Sequence, residues 1–436
     1  MSDEPFKVAI VGGGYTGLAT ALHLEILGID WVLIEAHDVI APQLGASIGL
    51  APNGMAIIDQ LGCLEDVEKR STACRSAQMR NGEGKVMYSF AVDPIRQIHG
   101  YDLTFTERRI VLEIFYDHIK SKDKIFTGQK VQSIEHTKDG VEIYTQEGHT
   151  FTADLVVGAD GIHSHVRGQM WKAAWNDGST AFSRQIGQDV ETEYGCVFGL
   201  SNRTNDLKEG QIYQVHTFDR MLGLVMGQND DIYWFHFFRA PKKHTGMDLP
   251  RYTEKDVERL LAEDGHRIVK DGTTFNDIFN NRKTHVITPL PTHTFQGWHY
   301  KRIICLGDAV AKFQPIQGQG GCMALESTAA FVDQLYNALE ANNMQKLSAE
   351  QIESVFTKTA EVRLARTKKL VGEGLTFMRF ASWSNWIFRF IDSYIVGLIP
   401  QKWLASLMFA GSTGAYKSTT LPAPSPIYER SKAKKV

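Results

Sequence analysis

Cysteine is scarce in this chain, with five in 436 residues at Cys63, Cys74, Cys196, Cys305 and Cys322, odd in number and without the spacing of a metal site. That scatter excludes a disulfide framework and reads as reduced thiols in an intracellular protein. Charge of one sign is lacking as well: a formal net charge of -3 and a pI near 6.6 leave no basic field, so nucleic acid is not an expected partner. No uninterrupted apolar run reaches the roughly 20 residues that a bilayer span needs. Asp3 and Glu4 run straight into the first apolar stretch, so no cleavable signal is expected there. No Ser-His-Asp set, metal-ligand cluster or carboxylate pair can be assigned from spacing, and no catalytic side chain is named from the sequence. The 43% hydrophobic content is enough for a sizeable core divided over two or three domains.

What is present begins at Lys7, where KVAIVGGGYTGLATALHLEILGIDWVLIEA reads as strand, glycine turn, helix and second strand. Val8 to Val11 suit a strand buried on both faces. Gly12 permits the tight turn, Gly14 lets a pyrophosphate approach the backbone, and Gly17 lets the helix lie close to the strand. The second strand ends in Glu35, about 20 residues beyond the glycines, the distance at which an acid accepts hydrogen bonds from an adenosine ribose. A dinucleotide site is expected here, with an empty tight turn as the alternative.

Further along, Ser47 to Leu50 read as a short strand, and the small residues Gly45, Ala46, Ser47 and Gly49 let backbone pass close to a flat ring. Alternating pieces around Asn81–Gly82 signal a hairpin in a different sheet. Leu103 to Ile119 turn helical with Arg108 and Arg109 in the first turn, where solvation is the bland reading for each. The run DLVVGADG gives a buried strand with Asp160 and Gly161 at its carboxyl end, where ligands of open α/β sheets bind. In DIYWFHFFR, alternation puts Trp234 and His236 on one face, as pocket lining or as core. RIICL leads through Gly307–Asp308 to a glycine-rich loop, Pro315 to Gly321, and a helix from about Cys322 whose start favours an anionic ring. Leu370 to Ala410 is rich in aromatics, including Trp383, Trp386 and Trp403, and reads either as helices packed on the core or as an interfacial segment in which Arg389 and Asp392 forbid deep insertion. The final SKAKKV is a basic tail.

GGGYTG, GADG and CLGD with PIQGQGG together resemble the single-component FAD-dependent monooxygenases of the aromatic-hydroxylase type, over about residues 6 to 370. GASIGLAPNG followed by DQLG looks like the branch of fungal indole-diterpene and meroterpenoid pathways. The resemblance implies an α/β fold: a Rossmann-like FAD-binding domain (1–70, 101–171, 284–370), an inserted mixed-sheet substrate domain (71–100, 172–283) and a helical C-terminal region with its tail (371–436). It implies that Gly12, Gly14 and Gly17 hold the pyrophosphate, Glu35 the ribose and Asp308 the ribityl chain, that Arg108 reaches the flavin, and that Asp160 serves both FAD and the nicotinamide cofactor. Ala46, Ser47, Gly49, Gly318, Gly320 and Gly321 would border the ring. NADPH would act as a transient reductant, since there is one glycine fingerprint. O2 and a lipophilic small molecule complete the expected partners, with peripheral membrane contact through the C-terminal region. Epoxidation of a prenyl-chain alkene is the first expectation; hydroxylation or rearrangement of an aromatic or indole core, and a redox-silent binding protein or isomerase, are the alternatives. Ala311, Cys322 and Ser327 depart from the family pattern, which bears on side-chain contacts to the flavin.

Overall fold

The computed structural model describes residues 5–42, 47–204 and 207–426, so Gly45, Ala46 and the basic tail lie outside the described residues. The elements that position the site begin with β1 (Lys7–Val11), α1 (Tyr15–Ile26), β2 (Asp30–Ile34), β3 (Ser47–Leu50) and α2 (Pro52–Gln60). A hairpin, β4 (Ser76–Asn81) and β5 (Val86–Ala91), precedes β6 (Thr104–Glu107) and α3 (Arg108–His118). Then come β7 (Leu155–Gly158), α4 (His165–Asn176) and four long strands, β8 (Glu191–Asn202), β9 (Gln211–Thr217), β10 (Arg220–Met226) and β11 (Asp231–Thr245). The chain closes with β12 (Arg282–Thr294), β13 (Ile303–Cys305), α5 (Gln319–Ala341), α6 (Ala349–Ala381) and α7 (Gln401–Met408).

Val8, Ala9 and Ile10 have no exposed surface, which is what a parallel strand covered on both faces demands. β1 pairs in parallel with β2 on one side and β7 on the other, and β7 pairs in parallel with β13. The neighbours of β1 are thus one early and one late strand, a topological switch point with a crevice at its carboxyl end. The second sheet has eight strands in the order Ala311–Lys312, β12, β8, β11, β10, β9, β4, β5. It is antiparallel except where β4 joins β9, so the early hairpin is captured by the later sheet.

Alternation along β11 sends Trp234, His236 and Phe238 into a core with Phe275 and Phe279. Trp234 donates from Nε1 to Ser201 Oγ at 2.8 Å, and His236 Nε2 lies 2.9 Å from Asp264 Oδ2. The pair is therefore core, and the opposite face, with Phe235 and Phe237, lines cavity. Three expected boundaries fall inside elements, the first of them residue 172, within α4. Residue 284 lies within β12, which belongs to the second sheet and whose Pro289 and Pro291 disguise it in the sequence. Residue 371 lies within α6, where Leu370, Val371, Gly374 and Met378 continue one buried stripe. Trp383, expected at an interface, is buried beside Asp392, to which its Nε1 donates at 2.7 Å.

Past α7 the chain crosses back over the first domain. Glu326 and Asp333 lie seven residues apart on α5, hence on one face. Glu326 accepts from Arg363 and Arg366, and Arg366 also donates to the Gly411 and Thr413 carbonyls. Asp333 accepts from Tyr416, Ser418, Thr419 and Thr420. Residues 411–421 are in this way a strap across α5, and Leu421 enters the main core.

His23, on α1 beneath the strap, is held neutral: burial pushes its pKa down from 6.5 to about 4, against the pull of Asp333. Because its folded pKa lies below the unfolded one, the unfolded chain binds the extra proton first, and stability is lost as pH falls from 6.5 toward 4. His23→Gln should flatten the pH dependence of thermal unfolding across that window; parallel wild-type and variant curves would show that His23 is not the source.

Candidate functional site

The carboxyl ends of β1, β7 and β13 open onto one cavity of about 960 Å³. At the first, Gly12 takes φ +108 and a Cβ on Gly17 would lie 1.8 Å from the Gly12 carbonyl oxygen. Only glycine at 17 lets α1 begin that close to the turn. Gly14 is the N-cap of α1, supplies no side-chain cap and lines the cavity, so the first amides of the helix face it without a side-chain acceptor. Glu35 folds its carboxylate onto the same turn, accepting from the Gly13 amide and from the His37 amide at 2.7 Å.

The second carboxyl end supplies Ala159 and Gly161 to the wall. Asp160 itself turns inward, accepting from Ser164 Oγ and from the Val166 amide at 3.0 Å, and so holds the start of α4. The third supplies Asp308, paired there with Lys312 Nζ. Beyond it Gly318, at φ +63, is the N-cap of α5 and again provides no side-chain cap. Gly318, Gly320 and Gly321 line the cavity opposite Ser47 and Gly49 of β3. A Cβ on Gly49 would meet Phe105 at 2.6 Å, and one on Gly321 would meet Ile48 at 2.8 Å, so small residues hold the wall thin on both sides.

The two arginines at the start of α3 separate cleanly. Arg109 pairs with Glu113. Arg108 lines the cavity, and among the described residues no hydrogen bond engages its guanidinium. Burial lowers its pKa, against the fields of Asp308, Tyr15 and Glu35, which favour the cation.

Of the residues singled out in the sequence, Gly14, Ser47, Gly49, Arg108, Asp308, Gly318, Gly320 and Gly321 come together on this wall. Gly12 and Gly17 stand behind it as packing, Glu35 braces the turn and Asp160 caps a helix. Sequence reasoning missed Tyr15, whose buried hydroxyl has no partner among the described residues and whose ring packs on Phe115, and Lys312. Tyr15 sits inside the glycine fingerprint, and Lys312 follows Asp308 by four residues; those positions were the available signals.

Two uncapped helix starts, an arginine and a buried hydroxyl without a partner among the described residues form a donor-rich cradle on one cavity. That donor set fits a dinucleotide with a pyrophosphate at one helix start and an electron-rich ring at the other. The departures leave it standing. Cys322 is packed against Gly54 with its thiol 3.4 Å from the Gly318 carbonyl, burial pushes its pKa up to about 12, and Ser327 donates to the Met323 carbonyl.

Residues 5–351 match the FAD binding domain family. The FAD-dependent monooxygenase olcE of Penicillium canescens is 33% identical over 431 residues, 98% of this chain and 91% of that protein. The chain belongs to the FAD-dependent monooxygenases. A second member of this family, nodM of Hypoxylon pulicicidum, is 34% identical over 85% of this chain and 79% of its own length. Among solved structures, Klebsiella pneumoniae HpxO complexed with FAD and uric acid superposes with a TM-score of 0.74 at 21% identity, covering 94% of this chain and 97% of HpxO. The p-nitrophenol 4-monooxygenase PnpA of Pseudomonas putida gives 0.72 at 20% identity, with 94% and 98% covered; both likenesses establish the fold. As a member of the FAD-dependent monooxygenases the protein is an enzyme with FAD as its cofactor.

Glycines 14 and 17 should part company under substitution. Gly17→Ala forces its Cβ against a backbone oxygen, so the thermal midpoint and flavin absorbance should both fall. Gly14→Ala meets only Arg108 Nη2, at 3.3 Å, and should fold normally with weakened FAD binding. A Gly17→Ala protein with an unchanged midpoint would show that the close approach is dispensable.

Proposed function

We propose that this FAD-dependent monooxygenase uses NADPH and O2 to epoxidise a prenyl-chain alkene of a meroterpenoid or indole-diterpene intermediate. The observation that carries this reading is a second cavity of about 110 Å³ that shares Gly49, Phe105, Phe235 and Gly318 with the first. Its walls include Met79, Phe90, Ile212, Phe237 and Phe377, and no charged side chain among the described residues lines it. An apolar chain suits such walls, and an alkene needs no side-chain base to become nucleophilic, whereas hydroxylation of a phenol is helped by one.

FAD, when bound, supplies the redox and oxygen-transfer chemistry. In this reading Gly12, Gly14 and Gly17 shape the turn for the pyrophosphate, Glu35 stands at the ribose end, and Asp308 accepts from ribityl hydroxyls. The amides that open α5 at Gly318, Gly320 and Gly321 donate to negative charge on the ring, and Arg108 adds a cation beside them. Phe105 and Phe235, at the junction of the two cavities, keep water from the reacting side. NADPH has no second glycine fingerprint and visits transiently. Contact of the aromatic C-terminal segment with a membrane belongs to the same reading, because it would bring the enzyme to lipophilic substrates.

Asp308→Ala should cost about 1.5–3 kcal/mol of FAD affinity, the range for a hydrogen bond to a charged group, read as flavin released on gel filtration. Flavin content equal to wild type would remove Asp308 from the site. NADPH-dependent O2 uptake with a geranylgeranylated aromatic compound should yield a product one oxygen heavier and lacking one alkene; retention of every alkene would favour hydroxylation of the aromatic core.

A further inference from the structure

Exposed apolar surface is concentrated at one place. Of the eighteen large hydrophobic residues exposed among the described residues, eight lie between Trp386 and Leu407. The five most open are all there: Leu398 at 78%, Trp403 at 73%, Trp386 at 71%, and Tyr394 and Leu407 at 66% each. Burying such residues in a core would be favourable, so their exposure together marks a surface that is covered by something else. Their composition, tryptophan and tyrosine among aliphatic side chains, is that of an interfacial layer.

The ledge is built, not loose. Asp392, the one acid between Trp386 and Leu407, is fully buried. It accepts from Tyr88 Oη on β5, from His216 Nδ1 on β9 and from Trp383 Nε1, each at 2.7 Å. Burial raises its pKa, but His216 and these hydrogen bonds outweigh that and hold it below the usual carboxylate range. The anchored acid therefore contributes no negative charge to the outer face. Arg389 is exposed there. An apolar face whose segment carries an exposed arginine and no exposed acid is complementary to an anionic bilayer. No helix among the described residues is long and apolar enough to cross a membrane, so the contact is peripheral.

The inner side of the same segment gives the ledge a use. On α7, Leu404 and Ala405 are buried, Trp403 and Leu407 point outward, and Met408 and the following Phe409 line the smaller apolar cavity. One helix thus has exposed apolar side chains outside and an apolar chamber inside. We propose that residues 386–407 seat the protein on an anionic bilayer and that α7 is the wall past which an apolar chain moves from the lipid into that chamber. The seat stands on the exposed surface alone; what the chamber delivers to rests on the FAD-site reading.

The test uses the full chain with its flavin. Flotation with phosphatidylcholine vesicles should strengthen when phosphatidylserine is included, by about fivefold at low salt for one cation near the surface. Trp386→Ser/Leu398→Ser/Trp403→Ser changes only exposed positions and should abolish flotation with flavin absorbance intact. Wild-type protein that stays at the bottom, or a triple variant that floats equally, overturns the seat. So does a wild-type dimer that does not float and that the triple variant dissolves, since the occupant would then be a second copy. For the passage, cis-parinaric acid in vesicle-free buffer should gain fluorescence on entering the chamber, and Met408→Trp or Phe377→Trp, each checked for retained flavin, should lose that binding. Unchanged binding in both overturns the passage. Absence of flavin from the wild-type protein would strike the FAD-site reading and leave the bilayer seat untouched.

Discussion

A carboxylate shut away from water joins parts of the molecule that are far apart in sequence. Glu326, fully buried on α5, accepts from Asn53 of α2 at 2.8 Å and from Arg363 of α6 at 2.7 Å, while Arg366 adds a further contact and itself holds the strap. Removing one partner from such a group leaves a buried charge uncompensated, at a cost of about 3–5 kcal/mol. Its charge is retained because burial, which raises the pKa, is outweighed by two arginines. Asn53 in turn donates to Gln319, the first residue of α5, at 3.0 Å. The attitude of the glycine-lined helix start toward the cavity is therefore set from behind, by a polar network that includes the strap.

The cavity wall divides the work between backbone and side chains. Helix starts and glycines make a donor surface that no substitution of neighbouring side chains removes, which is why Ala311, Cys322 and Ser327 can depart from the family pattern while the cradle stays in place. The apolar chamber beside it is built by the opposite means, from side chains of β4, β9, β10 and β11 on one sheet face. Phe105 and Phe235, with ring centroids 6.1 Å apart, stand where the two meet.

Much of the first domain was legible because its rules are local. A buried parallel strand is an apolar run, a close helix approach is a glycine, and the order of Gly12, Gly14 and Gly17 states the turn directly. The side-chain face of β11 was readable as alternation, but which face was core depended on Phe275, Phe279 and Asp264 arriving from later in the chain. β12 was hidden by Pro289 and Pro291. Asp392 looked like a barrier to membrane insertion, and its burial could not be seen because Tyr88 and His216 reach it from about 300 and 176 residues away. Asp160 reads as a ligand by its place after β7, whereas in the fold its carboxylate serves the following helix. The strap had no periodicity to announce it; its order comes from Asp333 and Glu326, not from its own residues.

That strap also fixes an order of assembly during synthesis. β1 lacks one parallel neighbour until residue 158 has been made, the sheet edge beyond it waits for β13, and Gln60 receives its partners Ser418 and Pro422 only about 360 residues after its own appearance. Closing contacts of such sequence separation is slow, and each must wait for the ribosome. Until then the polar faces of Asp333 and Gln60 stay open to water, and the nascent chain has the halves of its dinucleotide cradle without the brace that holds them in register. The last described residues of the chain are in this sense the keystone of its first domain.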